Sequence, residues 1–208
     1  MGRTAKSFGR PNPRFKPQPT VLVICEDKKS SLQYLQSVAR HFRVHVKVEV
    51  THCGNTDPLG IIQEAVRRQR EFDEVYCAID RDNHENFNDA LALAHTCGKV
   101  IIIASYPCFE FWLILHYGHN RRPYTSVGNN SAGDRLINEL RTHPGMEQYA
   151  KGAATSVFES LLGPRFDTAR RVSPQVLNEA NITEQMNPST TLHLLIDKFE
   201  ELSQPKPK

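Results

Sequence analysis

Two uninterrupted apolar runs, each closed by acid, constrain this chain more than any other feature. Val21-Leu22-Val23-Ile24-Cys25 ends at Glu26, and Val75-Tyr76-Cys77-Ala78-Ile79 ends at Asp80-Arg81-Asp82. Apolar runs of this length without polar alternation read as strands buried on both faces, as parallel strands inside an α/β sheet are. Ligands of such sheets collect outside the carboxyl ends of the strands. Three carboxylates brought to one rim repel one another. Hard oxygen donors of that kind suit Mg2+ or Mn2+.

The segments between the runs supply the crossovers. Leu32, Leu35, Val38 and Ala39 recur at helical spacing over 30–42. Val44, Val46, Val48 and Val50 alternate with His45, Lys47 and Glu49, which predicts a half-exposed strand near a sheet edge. After the turn Gly54-Asn55-Thr56-Asp57, Pro58 opens a helix over 58–71 with Ile61, Ile62, Ala65 and Val66 inward. A helix over 86–97 stops at Gly98, and Val100-Ile101-Ile102-Ile103-Ala104 makes a fourth strand. The order βαβαβαβ predicts an α/β fold, a mostly parallel sheet flanked by helices.

Beyond Pro107 the pattern turns helical. A short apolar helix is expected over 109–116, then helices near 132–142, 155–162, 165–171 and 189–202, with no strand signal. The expected organisation is a basic, Pro-rich leader over 1–19, an α/β core over 20–118, a helical portion over 119–203 packed on that core, and a tail over 204–208.

A hydrophobic share of 39% in 208 residues supports a packed core rather than disorder. No apolar run approaches the roughly 18–20 residues of a membrane span, and the first residues lack the apolar stretch of a signal peptide. A cytoplasmic location without a membrane partner is expected. The cysteines are odd in number and form no CxxC pair, which argues against a disulfide framework. Cys25 and Cys77 read as small core residues, whereas Cys108 lies near the proposed site. The net charge of +3 is uneven: Arg3, Lys6, Arg10, Arg14 and Lys16 crowd the leader, Lys206 and Lys208 the tail, and the remainder is about −4. Such a leader can attract phosphate, or it is simply a solvated arm.

The strand-end acids carry the chemistry. Asp80 and Asp82 can face one ion where the chain bends, and Glu26 can complete that site or act as general base on a water. The plainer alternative is that Asp82 or Asn83 caps the following helix. A receiver-like switch also places acids after its first and third strands, but needs a lysine after a fifth strand that is not evident here. A haloacid-dehalogenase-like phosphatase carries its DxD after the first strand, not the third. Glu110, in an apolar helix, either joins the carboxylate site or pairs with an arginine such as Arg81. Phe109, Phe111 and Trp112 read as core, and His116 as a core hydrogen-bonder. Arg121, Arg122, Arg165, Arg170 and Arg171 are candidates for a basic face that binds nucleic-acid phosphates.

Strand-then-Glu26 and strand-then-Asp80-Arg81-Asp82 together look like a TOPRIM domain, the metal-dependent fold of topoisomerases, primases and OLD-type nucleases. Pro107-Cys108-Phe109-Glu110-Phe111-Trp112-Leu113-Ile114-Leu115-His116-Tyr117 is similar to the signature helix of RloB-like proteins. Tyr149-Ala150-Lys151 and Asn187-Pro188-Ser189-Thr190 fall where that family carries similar motifs, so the resemblance covers residues 20–202. It implies a TOPRIM-like, Mg2+-dependent nuclease of antiphage defence acting on RNA, for example tRNA, or on DNA. Glu26, Asp80 and Asp82 then take metal and acid–base roles, Glu110 joins them, and Lys151 neutralises phosphate charge. The chain departs from the family where Glu26-Asp27 replaces Glu-Gly and where Ser30-Ser31 replaces Thr-Glu. The expected partners are nucleic acid and an operon-encoded defence protein, with self-association left open. The alternative is a non-catalytic nucleotide- or partner-binding module of a defence or restriction-modification system.

Overall fold

The computed structural model describes residues 18–45, 47–81, 84–152 and 157–204. The expected leader up to residue 17, Val46, Asp82, Asn83 and the tail from residue 205 lie outside the described residues. β1 (Val21–Cys25) is buried along its whole length, as an inner strand demands. β2 (Val48–Thr51), β3 (Glu74–Asp80) and β4 (Val100–Tyr106) run parallel to it in the order β2-β1-β3-β4. The α/β expectation therefore holds. Alternate residues of β1 enter two different cores. Val21, Val23 and Cys25 face α1 (Ser30–His41) and the C-terminal helices, while Leu22 and Ile24 face α2 (Pro58–Arg68) and α3 (Phe87–His95). α2 starts as its sequence foretells: Pro58 takes a first-turn position and the Asp57 side chain accepts the Gly60 N–H at 2.9 Å.

The valine alternation yields an edge strand, but a shorter one than its period suggests. Val44 N–H bonds the Ala39 carbonyl and Val48 N–H bonds the Val44 carbonyl, so the chain turns through this stretch before β2 begins. A larger correction concerns residue 189, where a helix was expected. Ser189–Thr190 instead form β5, antiparallel to β4, and α8 (Leu192–Ser203) starts only after Thr191. Two residues carry no readable period. What holds them is hydroxyl chemistry: Ser105 Oγ and Thr190 Oγ1 lie 2.9 Å apart, and Thr191 Oγ1 accepts the Ala104 N–H at 2.9 Å.

α4 (Glu110–Ile114) passes into a 3-10 turn (Leu115–Tyr117), and α5 (Ala132–Leu140) opens with a reciprocal Ser131–Asp134 capping box. α6 (Phe158–Leu161) is one turn long. α7 (Pro164–Thr183) runs far beyond the expected 165–171, through Pro174. Proline inside a helix is costly, but Val172, Val176 and Ala180 are buried along this helix and offset that cost. Trp112, Phe109 and Phe111 are core, as their apolar surroundings suggest.

His116 is buried, with Nε2 3.2 Å from Tyr34 Oη and Nδ1 3.0 Å from the Trp112 carbonyl. Burial pushes its pKa down from 6.5 to about 4. Because the folded value lies below the unfolded one, the neutral ring's contribution is complete above the unfolded value. It is lost as pH falls through the folded value. This residue is expected to remove up to about 3 kcal/mol of stability across that interval. Urea midpoints measured over the range should show the slope, and His116→Gln should flatten it. An identical slope in the variant would clear His116 of the effect.

Candidate active site

Glu26 stands one residue past β1, and its N–H still bonds the Ala78 carbonyl of β3 at 3.0 Å. The strand pairing thus carries the backbone of Glu26 to the rim. Asp27 then fixes the loop, its carboxylate accepting N–H groups from Lys29 (3.0 Å), Ser30 and Ser31 (3.1 Å) at the start of α1. Where glycine is usual in the resembling family, this chain has a carboxylate that caps a helix.

The Glu26 carboxylate reaches sideways to β3. Its Oε2 accepts the Asp80 N–H at 2.8 Å, and its Oε1 lies 3.0 Å from His84 Nε2. Asp80, the last residue of β3, is half-buried. Burial pushes its carboxyl well above the ordinary carboxylate range, and the charges of Glu26 and Glu110 push the same way. Lys151 and the Phe109 N–H pull it back only in part. Beneath these groups lies a small cavity walled by Glu26, Asp80, Ser105, Phe109 and Leu192.

Glu110, at 1% exposure, is the most secluded charge of the group. Tyr149 Oη donates to its Oε1 at 3.0 Å, and Lys151 Nζ lies 3.2 Å from its Oε2. Its cation is therefore Lys151 and not Arg81. The Arg81 guanidinium instead bonds the His84 carbonyl at 3.0 Å and lies over the Phe87 ring. Burial would lower the Lys151 ammonium, but the charges of Glu110 and Asp80 outweigh that and hold it above its usual value. The buried Cys108 thiol is pushed well up by burial and by Glu110 and Asp80, so it stays protonated and is no nucleophile.

The turn that presents Lys151 depends on Gly152. Its φ is +79°, and a Cβ there would sit 2.3 Å from Lys29 Cδ. Gly152→Ala is expected to cost about 1–2 kcal/mol from the left-handed backbone alone, and more from the collision. Thermal melts of Gly152→Ala with and without Lys29→Ala separate these parts. If Lys29→Ala restores nothing, the lysine stem is not what crowds the turn.

Glu26, Asp80, Glu110 and Lys151 thus come together from four separate stretches of chain, while Asp82 lies outside the described residues. Sequence reasoning missed the His84 imidazole and the Tyr149 hydroxyl. Each sits within a few residues of a chosen site residue, but no period in the sequence aims either of them inward.

The proposed basic face is dispersed. Arg121 binds the Pro188 and Gln185 carbonyls and the Thr183 hydroxyl, holding the turn after α7. Arg122 pairs with Glu139, and Arg170 with Asp197 and Glu200. Arg165 lies over the Tyr117 ring at 5.0 Å, and Arg171 is exposed. Arg170 and Arg171 point about 140° and about 240° round α7 from Arg165, so the helical residues share no face.

Among the described residues, no three His, Cys, Asp or Glu side chains gather into a group that could hold a metal ion. Glu26 and Asp80 nevertheless make a pair of hard oxygen donors. Mg2+ is commonly held by one or two carboxylates, with water and substrate phosphate filling the other positions. Burial, and after it the charges of Glu26 and Glu110, raise the Asp80 carboxyl, and a divalent ion would relieve the part due to charge, so the residues fit such an ion. A family model described as RloB-like protein matches residues 21–199. No curated protein and no solved structure matches the chain.

Proposed function

This chain belongs to the RloB-like family, and from that membership we propose that it is a metal-dependent nuclease with a TOPRIM-type site. The observation that carries the reading is Asp80, a strand-end carboxyl raised first by burial and then by the neighbouring Glu26 and Glu110, with Glu26 held against its N–H at 2.8 Å. Glu26 and Asp80 would hold Mg2+ or Mn2+, and Asp82 is the third ligand expected from the sequence. When bound, the ion supplies Lewis-acid polarisation of a phosphoryl oxygen and a place for the attacking water.

The chain's own groups do the rest. Glu26, oriented by the Asp80 N–H and His84, takes the proton from water as the oxygen attacks phosphorus and the bond to the leaving ribose or deoxyribose oxygen breaks, the departing oxygen taking a proton from solvent. Lys151, steered by Glu110, sets positive charge against the phosphoryl oxygens as negative charge builds. RNA, for example tRNA, and DNA are equally the substrates this reading expects, in a cell under phage attack.

A second reading is favoured by the partners the carboxylates already have, Glu26 with the Asp80 N–H and His84 and Glu110 with Tyr149 and Lys151: the rim holds a nucleotide or partner and breaks no bond. The test is cleavage of total RNA and of single- and double-stranded DNA, in Mg2+ or Mn2+, by wild type and Asp80→Ala. Products from the wild type alone support the nuclease and name its substrate class. Tight binding without products supports the module.

A further inference from the structure

Away from the carboxylates, a groove of about 590 Å³ runs along the outer face of α5. Arg135, Asn138, Glu139 and Thr142 line it at helical spacing, while Leu136 and Leu140 turn to the core. Arg122 also lines it, paired with Glu139 and with its guanidinium 5.6 Å from the Tyr124 ring centroid. His143 closes one end, stacked on Tyr117 with centroids 4.2 Å apart and planes 9° apart, and Arg165 braces the Tyr117 ring.

The charges in this groove are unequal partners. Glu139 and Arg122 neutralise one another. Arg135 gives one N–H to the Thr125 carbonyl at 2.9 Å, a fraction of the five donors a guanidinium carries. Burial and the nearby Arg165 push the His143 pKa down, so its ring stays neutral and offers a flat surface rather than a second charge. The groove therefore combines one outward cation, two planar walls and the short polar side chains of Asn138 and Thr142.

We propose that this groove binds an unpaired nucleotide of a single-stranded nucleic acid, the base stacking on the His143 and Arg122 planes and the adjoining phosphate on Arg135. Base stacking on aromatic and guanidinium planes with a phosphate-tracking cation is how single strands are held without sequence preference. The volume suits one nucleotide. An acidic peptide would gain nothing from planar walls, and a duplex keeps its bases paired and away from them. The proposal rests on the nucleic-acid reading of the carboxylate site and deepens it to a substrate with an unpaired stretch. The two places are linked by α5, because a Cβ on Gly133 would lie 4.0 Å from Lys151 Nζ. Gly133 and Asn138 are about 8 Å apart along that helix.

The test is fluorescence polarisation of a labelled homopolymeric RNA or DNA oligonucleotide in EDTA, with Asp80→Asn as the uncleaving background. Arg135→Ala and His143→Ala are each expected to weaken binding about tenfold. Arg135 is the decisive variant, since its side chain lies at the surface and its loss leaves the Tyr117 stack intact. The same oligonucleotide in a duplex should bind more weakly, and polyglutamate should not compete. Unchanged affinity in both variants, no binding by either nucleic acid, or equal competition by polyglutamate would each overturn the groove. Wild type that cleaves normally while the groove variants bind normally removes the groove and spares the nuclease. Groove-dependent binding by a wild type that never cleaves in Mg2+ does the reverse.

Discussion

Asp80→Asn is expected to cut cleavage by at least about a thousandfold, a loss of several kcal/mol of transition-state stabilisation, without lowering the melting temperature. Enzyme sites commonly trade stability for charge placement, and this one shows how. Asp80 is an acid whose folded pKa is raised, first by burial and then by Glu26 and Glu110. Its contribution to stability is complete below the unfolded value and is lost as pH rises through the folded one. Above the unfolded value, and without a divalent ion, the buried carboxyl is a cost that asparagine removes. The variant should therefore melt at or above the wild type. Mg2+ should raise the wild-type melting temperature by mass action and leave the variant nearly unmoved. A variant that cleaves normally, or one that melts far below the wild type, would take Asp80 out of this role.

Lys151→Met should cost stability as well as cleavage. Removing one partner of a buried ion pair costs about 3–5 kcal/mol, because the other charge remains inside. The Glu110 carboxylate is sealed from solvent, but the Lys151 side chain is 47% exposed. Water near the ammonium screens the pair, which reduces the expected loss to about 1–3 kcal/mol. Glu110→Gln keeps an acceptor for the Tyr149 hydroxyl, so it should lose less. In the double variant, the penalty of Lys151→Met should largely vanish. A urea-denaturation cycle over the four proteins reads the coupling directly, and a value below about 0.5 kcal/mol would mean that the two side chains act independently.

How much of this was readable in advance depended on whether a contact leaves a period in the chain. β1 and β3 announce themselves because both faces are buried and every residue is apolar. Placing them side by side follows from crossover rules, and with it the meeting of Glu26 and Asp80 at one rim. The start of α2 was equally plain, since Asp57 and Pro58 are local signals. β5 was not, because two hydroxyl residues pairing with Ser105 and Tyr106 look like any turn. Nor was the true partner of Glu110. Arg81 and Lys151 are both distant along the chain, and only the turn at Gly152 decides between them. The surroundings of the arginines were hidden for a related reason. Charge can be counted from a sequence, but that Arg122 pairs with Glu139, and Arg170 with Asp197 and Glu200, emerges only through folding.

The late pairing of β5 with β4 also sets an order in time. Thr190 reaches across to Ser105, and Leu192 walls the cavity under Glu26 and Asp80. On a translating ribosome, residues 189–203 are made more than a hundred residues after Asp80, an interval of about 5–20 s at about 5–20 residues per second. Throughout it the nascent sheet has its strand-end acids but not the strand and helix that close the floor beneath them. A site that needs that floor is therefore incomplete until residues 189–203 have been made and packed against it.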